Sequence, residues 1–332
     1  MKSELHCQLL LPGFFRGILA ASVVGPALRT LLRHAQRERA GDAADWLCRT
    51  FDVQRQQDAP VAPFAALGDG LQPDGYWLCA DPVSLVLHRD SFALAECTPA
   101  LRLEQAQQLV DTFNRHFAAD GMRFHAADAR RWYLRLAQRP DLRTHPLAQV
   151  LGRDIQPYLP QGSDGLKWHG LLNELQMLLH AHPLNAELEQ EGAMPVNSVW
   201  LWGGGELAAG APQPGLSVWA DDALARGLAL AHQSRLAALP SSAQDWLQQA
   251  HDAGEHLVVQ RSLAPNAPQQ ELDRLENDWF APLLDMLRKG NVARLTLHLA
   301  GETVNSFTVT RADLWKFWHR VRPPGGLSWL VS

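Results

Sequence analysis

The chain has 332 residues, of which 46% are hydrophobic and 20% are charged. This length suits one large domain or two ordinary ones, and the composition is that of a compact globular protein. The net charge of −5 argues against a dedicated nucleic-acid-binding protein, since such proteins usually carry a basic surface. Four widely spaced cysteines without a Cys-x-x-Cys pair indicate neither a zinc knuckle nor a disulfide framework, so we expect a reduced, cytoplasmic location.

The apolar stretch 8–28 does not have the pattern of a signal peptide or a membrane span. Glu4 precedes it, and Pro12 and Arg16 interrupt it. The pattern instead predicts a strand, a turn at Pro12-Gly13 and a helix that runs to about Arg39. Basic residues recur along this helix, and we interpret them as its solvated face: Arg29, Arg33, His34, Arg37 and Arg39.

Prolines and glycines cluster at 56–75 and predict a loop or domain crossover there. Further along, residue spacing predicts a series of helices and strands. Strands are expected at 9–11, 76–80, 84–88, 92–96, 122–125, 132–136 and 256–260, with a hairpin at 294–299 and 304–310. Helices are expected at 103–117, 166–181, 221–237, 242–252, 269–289 and 311–320.

Strands that alternate with helices favour an α/β fold, with a mostly parallel sheet flanked by helices. The strands clustered at 76–136 predict an inserted α+β subdomain. We therefore expect a discontinuous core, 1–74 and 161–332, that carries an insertion at 75–160.

The most informative stretch begins where a helix ends on His182-Pro183. An apolar strand with Trp200 and Trp202 follows, and the pattern predicts that it stops in Gly203-Gly204-Gly205. Glycine at a strand end permits positive φ and close backbone approach, as at ligand sites of many α/β proteins. The alternative is a buried strand closed by a glycine turn. The two tryptophans share one face of the strand, where they line a pocket or fill the core.

These residues resemble a known family. His182-Pro183-Leu184-Asn185, then Gly192, then Val196 to Gly205 are similar to a segment of the archaeal-type cofactor-independent phosphoglycerate mutases, members of the alkaline phosphatase superfamily. Tyr158-Leu159-Pro160-Gln161-Gly162 is similar to the family's Tyr-Leu-Pro-Lys-Gly. The resemblance extends over about residues 75–300 and implies an alkaline-phosphatase-like core. The chain looks most like a degenerate proteobacterial branch labelled phosphoglycerate-mutase-like or RpfE-type regulatory protein.

The resemblance implies phosphoryl transfer through a Ser or Thr nucleophile beside two divalent metals. Where the family's first strand ends in a metal-binding Asp, this chain has Pro12, and the nucleophile loop has no counterpart that we find. Matches to family ligands remain at Asp252, His256 and His298. Three such ligands could form a vestigial divalent metal site, although they cannot support two-metal catalysis. The alternative is that Asp252 is a surface residue, that His256 lies at the start of a strand, and that His298 is a hydrogen-bonded core histidine.

We therefore expect a non-catalytic phosphoglycerate-mutase-like protein with a regulatory or ligand-binding role and no cofactor. Its partner would be a small anionic ligand or a protein, and neither a membrane nor nucleic acid is expected. The resemblance places a binding cleft between core and insertion, near eight residues: Asp81, Arg135, His182, Asn185, Asn197, Gly203, Gly204 and Gly205.

Two other functions stay open. One is a metal-dependent phosphoglycerate mutase or phosphatase with a rearranged site. The other is a partner-binding module that uses the basic and aromatic residues of the predicted C-terminal helix, Arg311–Arg320. Aromatic residues in that helix could equally cap the core while its cations stay solvated.

Overall fold

A computed structural model describes residues 4–17, 23–88, 91–96, 99–250, 253–264 and 267–315. The chain divides into two compact units, Met1–Leu47 with Ala211–Ser332, and Cys48–Gly210. The segment 75–160 lies within the second unit, and its bounds as an insertion stay a prediction. No helix among the described residues is long and apolar enough to cross a membrane. Most of the predicted C-terminal helix, including Lys316 and Arg320, lies outside the described residues.

The strands of the described residues, in chain order, are β1 (Leu5–Leu11), β2 (Gln36–Ala40), β3 (Tyr76–Val83), β4 (Leu85–His88), β5 (Ser91–Leu94), β6 (Met122–Ala126), β7 (Trp132–Leu136), β8 (Ser198–Glu206), β9 (Leu216–Ala220), β10 (Arg235–Ala237), β11 (Gly254–Val259), β12 (Arg294–Ala300) and β13 (Val304–Thr310).

The α-helices, likewise in chain order, are α1 (Phe14–Gly17), α2 (Pro26–His34), α3 (Ala43–Thr50), α4 (Val61–Gly68), α5 (Leu103–His116), α6 (Leu147–Val150), α7 (Gly165–His180), α8 (Pro183–Gln190), α9 (Ala223–Ala231), α10 (Ala243–Gln249), α11 (Gln269–Leu275) and α12 (Ala281–Lys289). A π-helical turn, Glu276–Phe280, joins α11 to α12. Short 3₁₀ turns lie at Ala118–Asp120, Gln156–Tyr158 and Asp313–Trp315.

The first unit is built on a sheet whose described strands run in the order β10-β9-β11-β1-β12-β13-β2. The pairs from β10 to β12 are parallel, whereas β13 pairs antiparallel with both β12 and β2. Buried side chains of β1 and β12 pack with Trp246, Trp279 and Leu283 from the helices into one hydrophobic core. The predicted α/β fold, a mostly parallel sheet flanked by helices, is confirmed.

The second unit contains an antiparallel sheet in the order β6-β7-β3-β8 and a separate β4–β5 hairpin. The amphipathic helix α5 presents Leu109 and Phe113 to this sheet, and α7 adds Trp168 and Leu175 to the same core. Trp132 of β7 is fully buried in this core. Antiparallel strands covered by helices are the architecture predicted for the 76–136 region.

The structure differs from the predicted elements near the N-terminus. The helix expected to reach Arg39 ends at His34, and residues 36–40 form β2 instead. Arg37 and Arg39 are two residues apart on this strand and are paired with Phe307 and Asn305 of β13. Backbone pairing to β13 therefore replaces the expected helix. The segment 56–75, expected to be a loop, contains the buried helix α4.

Helix α2 receives its N-terminal cap from a distant part of the chain. Its own N-cap residue, Gly25, has no side chain to offer. Glu276, in the π-helical turn, accepts hydrogen bonds from the backbone N–H groups of Ala27 (2.5 Å) and Leu28 (3.2 Å). A side chain on Gly25 would clash with the Glu276 carboxylate. Capping of free N–H groups by a carboxylate stabilises a helix start, so Glu276 fixes α2 against the helices that follow β11.

Replacing Glu276 with Ala should lower the free energy of unfolding by about 1–2 kcal/mol, because two buried N–H groups lose their acceptor. Urea unfolding measures the change. The matched control is Glu271→Ala, which removes only the surface pair with Arg274 and should cost less than about 0.5 kcal/mol. Equal losses in the two variants would contradict the capping role.

Candidate functional site

The three consecutive glycines lie inside strand β8 and not at its end. The strand continues to Glu206, and Gly203 has a positive φ of 65° where the register with β3 shifts between Trp77 and Cys79. The expectation that the strand stops in these glycines is therefore wrong. A β-bulge, which glycine accommodates readily, explains the local backbone conformation.

Close packing from both sides of β8 explains why glycine is needed at these positions. A Cβ on Gly203 would lie 2.9 Å from the Val61 side chain, and one on Gly205 would clash with Pro60. On the other face, a Cβ on Gly204 would clash with the Tyr76 hydroxyl. The space that a phosphate-binding turn would leave for its ligand is filled here by neighbouring side chains.

Three further predicted ligand residues form hydrogen bonds to the backbone. Asn185 donates to the carbonyls of Leu179 and Val196 and accepts from the Val196 N–H, all within 2.7–2.9 Å. Asn197 pairs in the same manner with both backbone groups of Leu85. His182 caps α8 by accepting from the Leu184 N–H at 3.2 Å. These contacts fasten α7, α8 and the hairpin to the start of β8, and they account for all three side chains structurally.

Arg135 lies on the interior strand β7, and its side chain is partly exposed. Its guanidinium forms a bidentate pair with Asp74, with both N–O distances at 2.7 Å. This hydrogen bonding lowers the pKa of Asp74. Arg135 is therefore committed to a carboxylate of its own chain, and its predicted role in gripping a ligand stays a prediction.

Asp81 is the predicted residue with the most unusual environment. It lies on β3, only 8% exposed, and accepts a hydrogen bond of 2.7 Å from the Trp202 indole. The nearby Arg131 is paired with Asp69 and Asp128. Burial raises the pKa of Asp81 to about 7. This carboxyl group can therefore exchange a proton near neutral pH.

The two described members of the predicted metal set lie on opposite faces of the seven-stranded sheet. His256 on β11 is in register with Cys7 of β1, whereas His298 on β12 is in register with Leu10. Residues in register share a face, and Cys7 and Leu10 are an odd number of positions apart, so they point to opposite sides. The structure does not bring the two imidazoles together. Asp252, the third member, lies outside the described residues.

His298 is buried in a chain of hydrogen bonds that sets its tautomer. The Gln8 amide nitrogen donates to Glu255 at 3.0 Å, so the Gln8 oxygen faces His298 Nε2 at 3.3 Å. An oxygen acceptor requires the proton on Nε2, which leaves Nδ1 to accept from the Ser306 hydroxyl at 2.7 Å. Burial lowers the pKa of His298 to about 3, and the Trp46 ring lies 4.2 Å from the imidazole. The imidazole is therefore neutral, and its Nδ1 lone pair accepts the Ser306 hydrogen bond.

His256, on the other face of the seven-stranded sheet, also uses its Nδ1 lone pair in a hydrogen bond within the fold. Its Nδ1 accepts from the Trp219 indole N–H at 3.1 Å, because an indole nitrogen can only donate. The Trp219 ring stacks parallel to the imidazole, and Trp246 contacts it edge-on. Trp219 and Trp246 thus hold His256 in the hydrophobic core. Residue spacing in the sequence does not predict these two contacts.

The end of β1 is closed by a backbone contact. The Pro12 carbonyl accepts from the Leu263 N–H at 3.0 Å, and a Cβ on Gly13, whose φ is 71°, would clash with the Leu263 carbonyl at 2.6 Å. Among the described residues, no group of three or more His, Cys, Asp or Glu side chains could hold a metal ion. The described residues therefore do not fit the two-metal centre that the resemblance implies.

A Gly204→Ala variant tests the packing role of the glycines. The added methyl meets Tyr76 and should lower the free energy of unfolding by about 1–3 kcal/mol. Gly170→Ala on the exposed side of α7 is the control, because nothing lies near its Cβ position, and it should stabilise by up to about 1 kcal/mol. Chemical denaturation measures whether each substitution lowers or raises the free energy of unfolding. A Gly204→Ala variant as stable as the wild type would contradict the packing argument.

An Asp81→Asn variant tests the raised pKa. The folded state holds the Asp81 proton to about pH 7 and the unfolded chain only to about 3.8, so wild-type stability falls as pH rises between these values. The slope is at most about 1.4 kcal/mol per pH unit, and Asp81→Asn removes it. We expect Asp81→Asn to be the more stable protein at pH 8 and not at pH 4. Parallel wild-type and Asp81→Asn profiles would contradict this, and exposed Asp111→Asn is the control.

Comparisons with known proteins agree with the resemblance in the sequence motifs. The 2,3-bisphosphoglycerate-independent phosphoglycerate mutase of Methanosarcina mazei is 30% identical over 104 residues, which are 31% of this chain and 26% of that protein. The enzyme of the same name from Methanosarcina acetivorans is 31% identical over 104 residues, with the same shares. The chain thus spans about a quarter of the length of these curated relatives. No family model matches the chain.

One solved structure shows the same fold. The PH0037 protein from Pyrococcus horikoshii superimposes with a TM-score of 0.51 at 12% identity, over 92% of this chain and 88% of that one. At this identity the likeness concerns the fold alone. Over the matched stretch of 104 residues, the chain is similar to the 2,3-bisphosphoglycerate-independent phosphoglycerate mutases of these two Methanosarcina species.

Proposed function

We propose that this chain is a non-catalytic relative of the phosphoglycerate mutases that acts by binding a ligand or partner, in a regulatory role. The observation that carries this proposal is the state of the two histidines. His256 and His298 face opposite sides of the sheet, and each uses its Nδ1 lone pair in a hydrogen bond within the fold. A metal ligand must offer a lone pair toward the ion, and ligands of one ion must converge on it.

The end of β1 supports the same proposal. Where the resemblance places a metal-binding carboxylate, Pro12 has no side-chain donor, and its carbonyl is bonded to Leu263. Two-metal phosphoryl transfer needs ions that clamp the attacking and leaving oxygens. A carboxylate in place of Pro12 would be needed before such a clamp could form at this edge.

Purified protein should therefore show no phosphoglycerate isomerisation and no p-nitrophenyl phosphate hydrolysis above a protein-free blank. The assays are run with Mn²⁺, Zn²⁺ or Co²⁺ added, and one curated relative serves as the active control. Metal content after exchange into metal-free buffer should be well below one ion per chain.

A His298→Gln variant provides the internal control. If the wild type turned over a phosphate ester at an enzyme-like rate and His298→Gln abolished that rate, the chain would be a metal-dependent mutase or phosphatase with a rearranged site. If both proteins are inactive and equally folded by circular dichroism, the non-catalytic proposal stands.

A further inference from the structure

Helix α4 is fastened at its C-terminal end by a side chain that reaches β7 of the same unit. Asp69 is the C-cap residue of α4. Its carboxylate accepts from Arg131 Nε at 2.9 Å and Nη2 at 3.0 Å, and from the Tyr133 hydroxyl at 2.8 Å. We call Asp69, Arg131 and Tyr133 the α4 latch. A bidentate pair fixes both distance and orientation, so the α4 latch sets the position of this helix end.

Asp81 lies on the same face of the sheet as the two latch residues of the neighbouring strand. Cys79 of β3 is paired with Tyr133 of β7 in antiparallel register. Continuing this register by two residues brings Asp81 opposite Arg131, since residues two apart share a face. The positive charge of Arg131 favours the ionised form of Asp81. A second carboxyl group is therefore in place to compete with Asp69 for one guanidinium.

The guanidinium of Arg131 is nevertheless directed away from Asp81. It is paired with Asp69 and, through Nη1, with Asp128 at 2.6 Å. Asp81 instead accepts from the uncharged Trp202 indole at 2.7 Å. Burial raises the pKa of Asp81 to about 7, because a buried carboxylate is poorly solvated. The observed contacts therefore correspond to the protonated carboxyl group.

Among the described residues around Asp81, Arg131 is the cation placed to neutralise its charge. The ionisable groups there come from β3, from β7 and the turn before it, and from the end of α4: Cys79, Asp128, Arg131, Tyr133 and Asp69. Burial raises the pKa of the Cys79 thiol and of the Tyr133 hydroxyl, so both stay neutral. The Asp128 carboxylate opposes ionisation of Asp81. Strand β8 contributes the uncharged Trp202.

The second partner of Asp81 is also close to α4. Trp202 directly precedes Gly203 on β8, and a Cβ on Gly203 would lie 2.9 Å from the side chain of Val61, the first residue of α4. Both ends of α4 are therefore connected to residues that contact or face Asp81, through Arg131 at one end and through β8 at the other.

We propose that ionisation of Asp81 opens the α4 latch. With Asp81 protonated, Arg131 stays on Asp69 and the end of α4 is held against β7. With Asp81 charged, the guanidinium moves to it, because a buried carboxylate needs a cationic partner, and Asp69 loses its bidentate contact. The second unit therefore has a tight state below neutral pH and a loose state above it, whichever ligand or partner the protein binds.

The test is hydrogen–deuterium exchange of the whole chain at pH 6 and pH 8, followed by mass spectrometry and corrected for the pH dependence of chemical exchange. Protection of the α4 amides should fall by about tenfold from pH 6 to pH 8. Release of one proton changes the opening equilibrium by at most about tenfold per pH unit, and the effect levels off above the pKa of Asp81. Helix α5 of the same unit is the internal reference and should lose less protection.

Three variants separate the parts of this device. Asp81→Asn, which is nearly isosteric, should keep α4 protected at both pH values. Asp69→Asn should leave α4 weakly protected at both, because the α4 latch is already broken. Asp74→Asn is the matched control: it breaks the bidentate pair with Arg135 on the same strand, and it should keep the pH dependence of the wild type.

Circular dichroism of each variant verifies that it is folded. The proposal would be overturned by wild-type α4 protection that is equal at the two pH values, or that falls no more than the protection of α5. It would also be overturned if Asp81→Asn or Asp69→Asn kept the wild-type pH dependence. Each of these results leaves the non-catalytic proposal intact, because that proposal fails only if the protein turns over a phosphate ester.

Discussion

The register of β1 between its two neighbours is the constraint on which the chemistry of this sheet depends. Parallel pairing places His256 beside Cys7 and His298 beside Leu10, so a separation of three residues on β1 sends the two imidazoles to opposite faces. Changing this would require a one-residue slip of β11 or β12, and such a slip would turn every buried side chain of the strand to the wrong side. The hydrophobic core thus prevents these two histidines from meeting at one ion.

The fold was predictable where the sequence pattern is local. Helical spacing identifies α5 to within a residue, and alternation identifies β7 and the hairpin of β12 and β13. The pattern failed at β2, where the exposed Gln36–Ala40 has no apolar alternation and is a strand only because β13 pairs with it. Likewise α4 is buried all round, so no amphipathic pattern distinguishes it from a proline-rich loop.

The candidate sites were less predictable, since their side chains are committed to partners far away in the sequence. The spacing of Asp252 and His256 matches the family, yet Trp219, which occupies the His256 lone pair, comes from another strand. The local sequence of glycines 203–205 resembles a ligand-binding turn. In the structure these glycines allow Tyr76 and Pro60 to pack closely against β8. Arg37 and Arg39 are basic residues that the sequence assigns to a helix, and their two-residue spacing places them on one strand face only because residues 36–40 form β2.

The most direct test of this account is the ring-nitrogen spectrum of the two histidines. Two-dimensional ¹⁵N NMR of imidazole nitrogens, assigned with single His variants, distinguishes the two neutral tautomers from the charged ring. The account predicts that His256 and His298 are both neutral with the proton on Nε2 at pH 7, and that adding Zn²⁺ or Mn²⁺ moves neither Nδ1 signal. A Zn²⁺-dependent shift of both Nδ1 signals at one ion per chain would mean that the two rings ligate a common metal, and it would contradict the account.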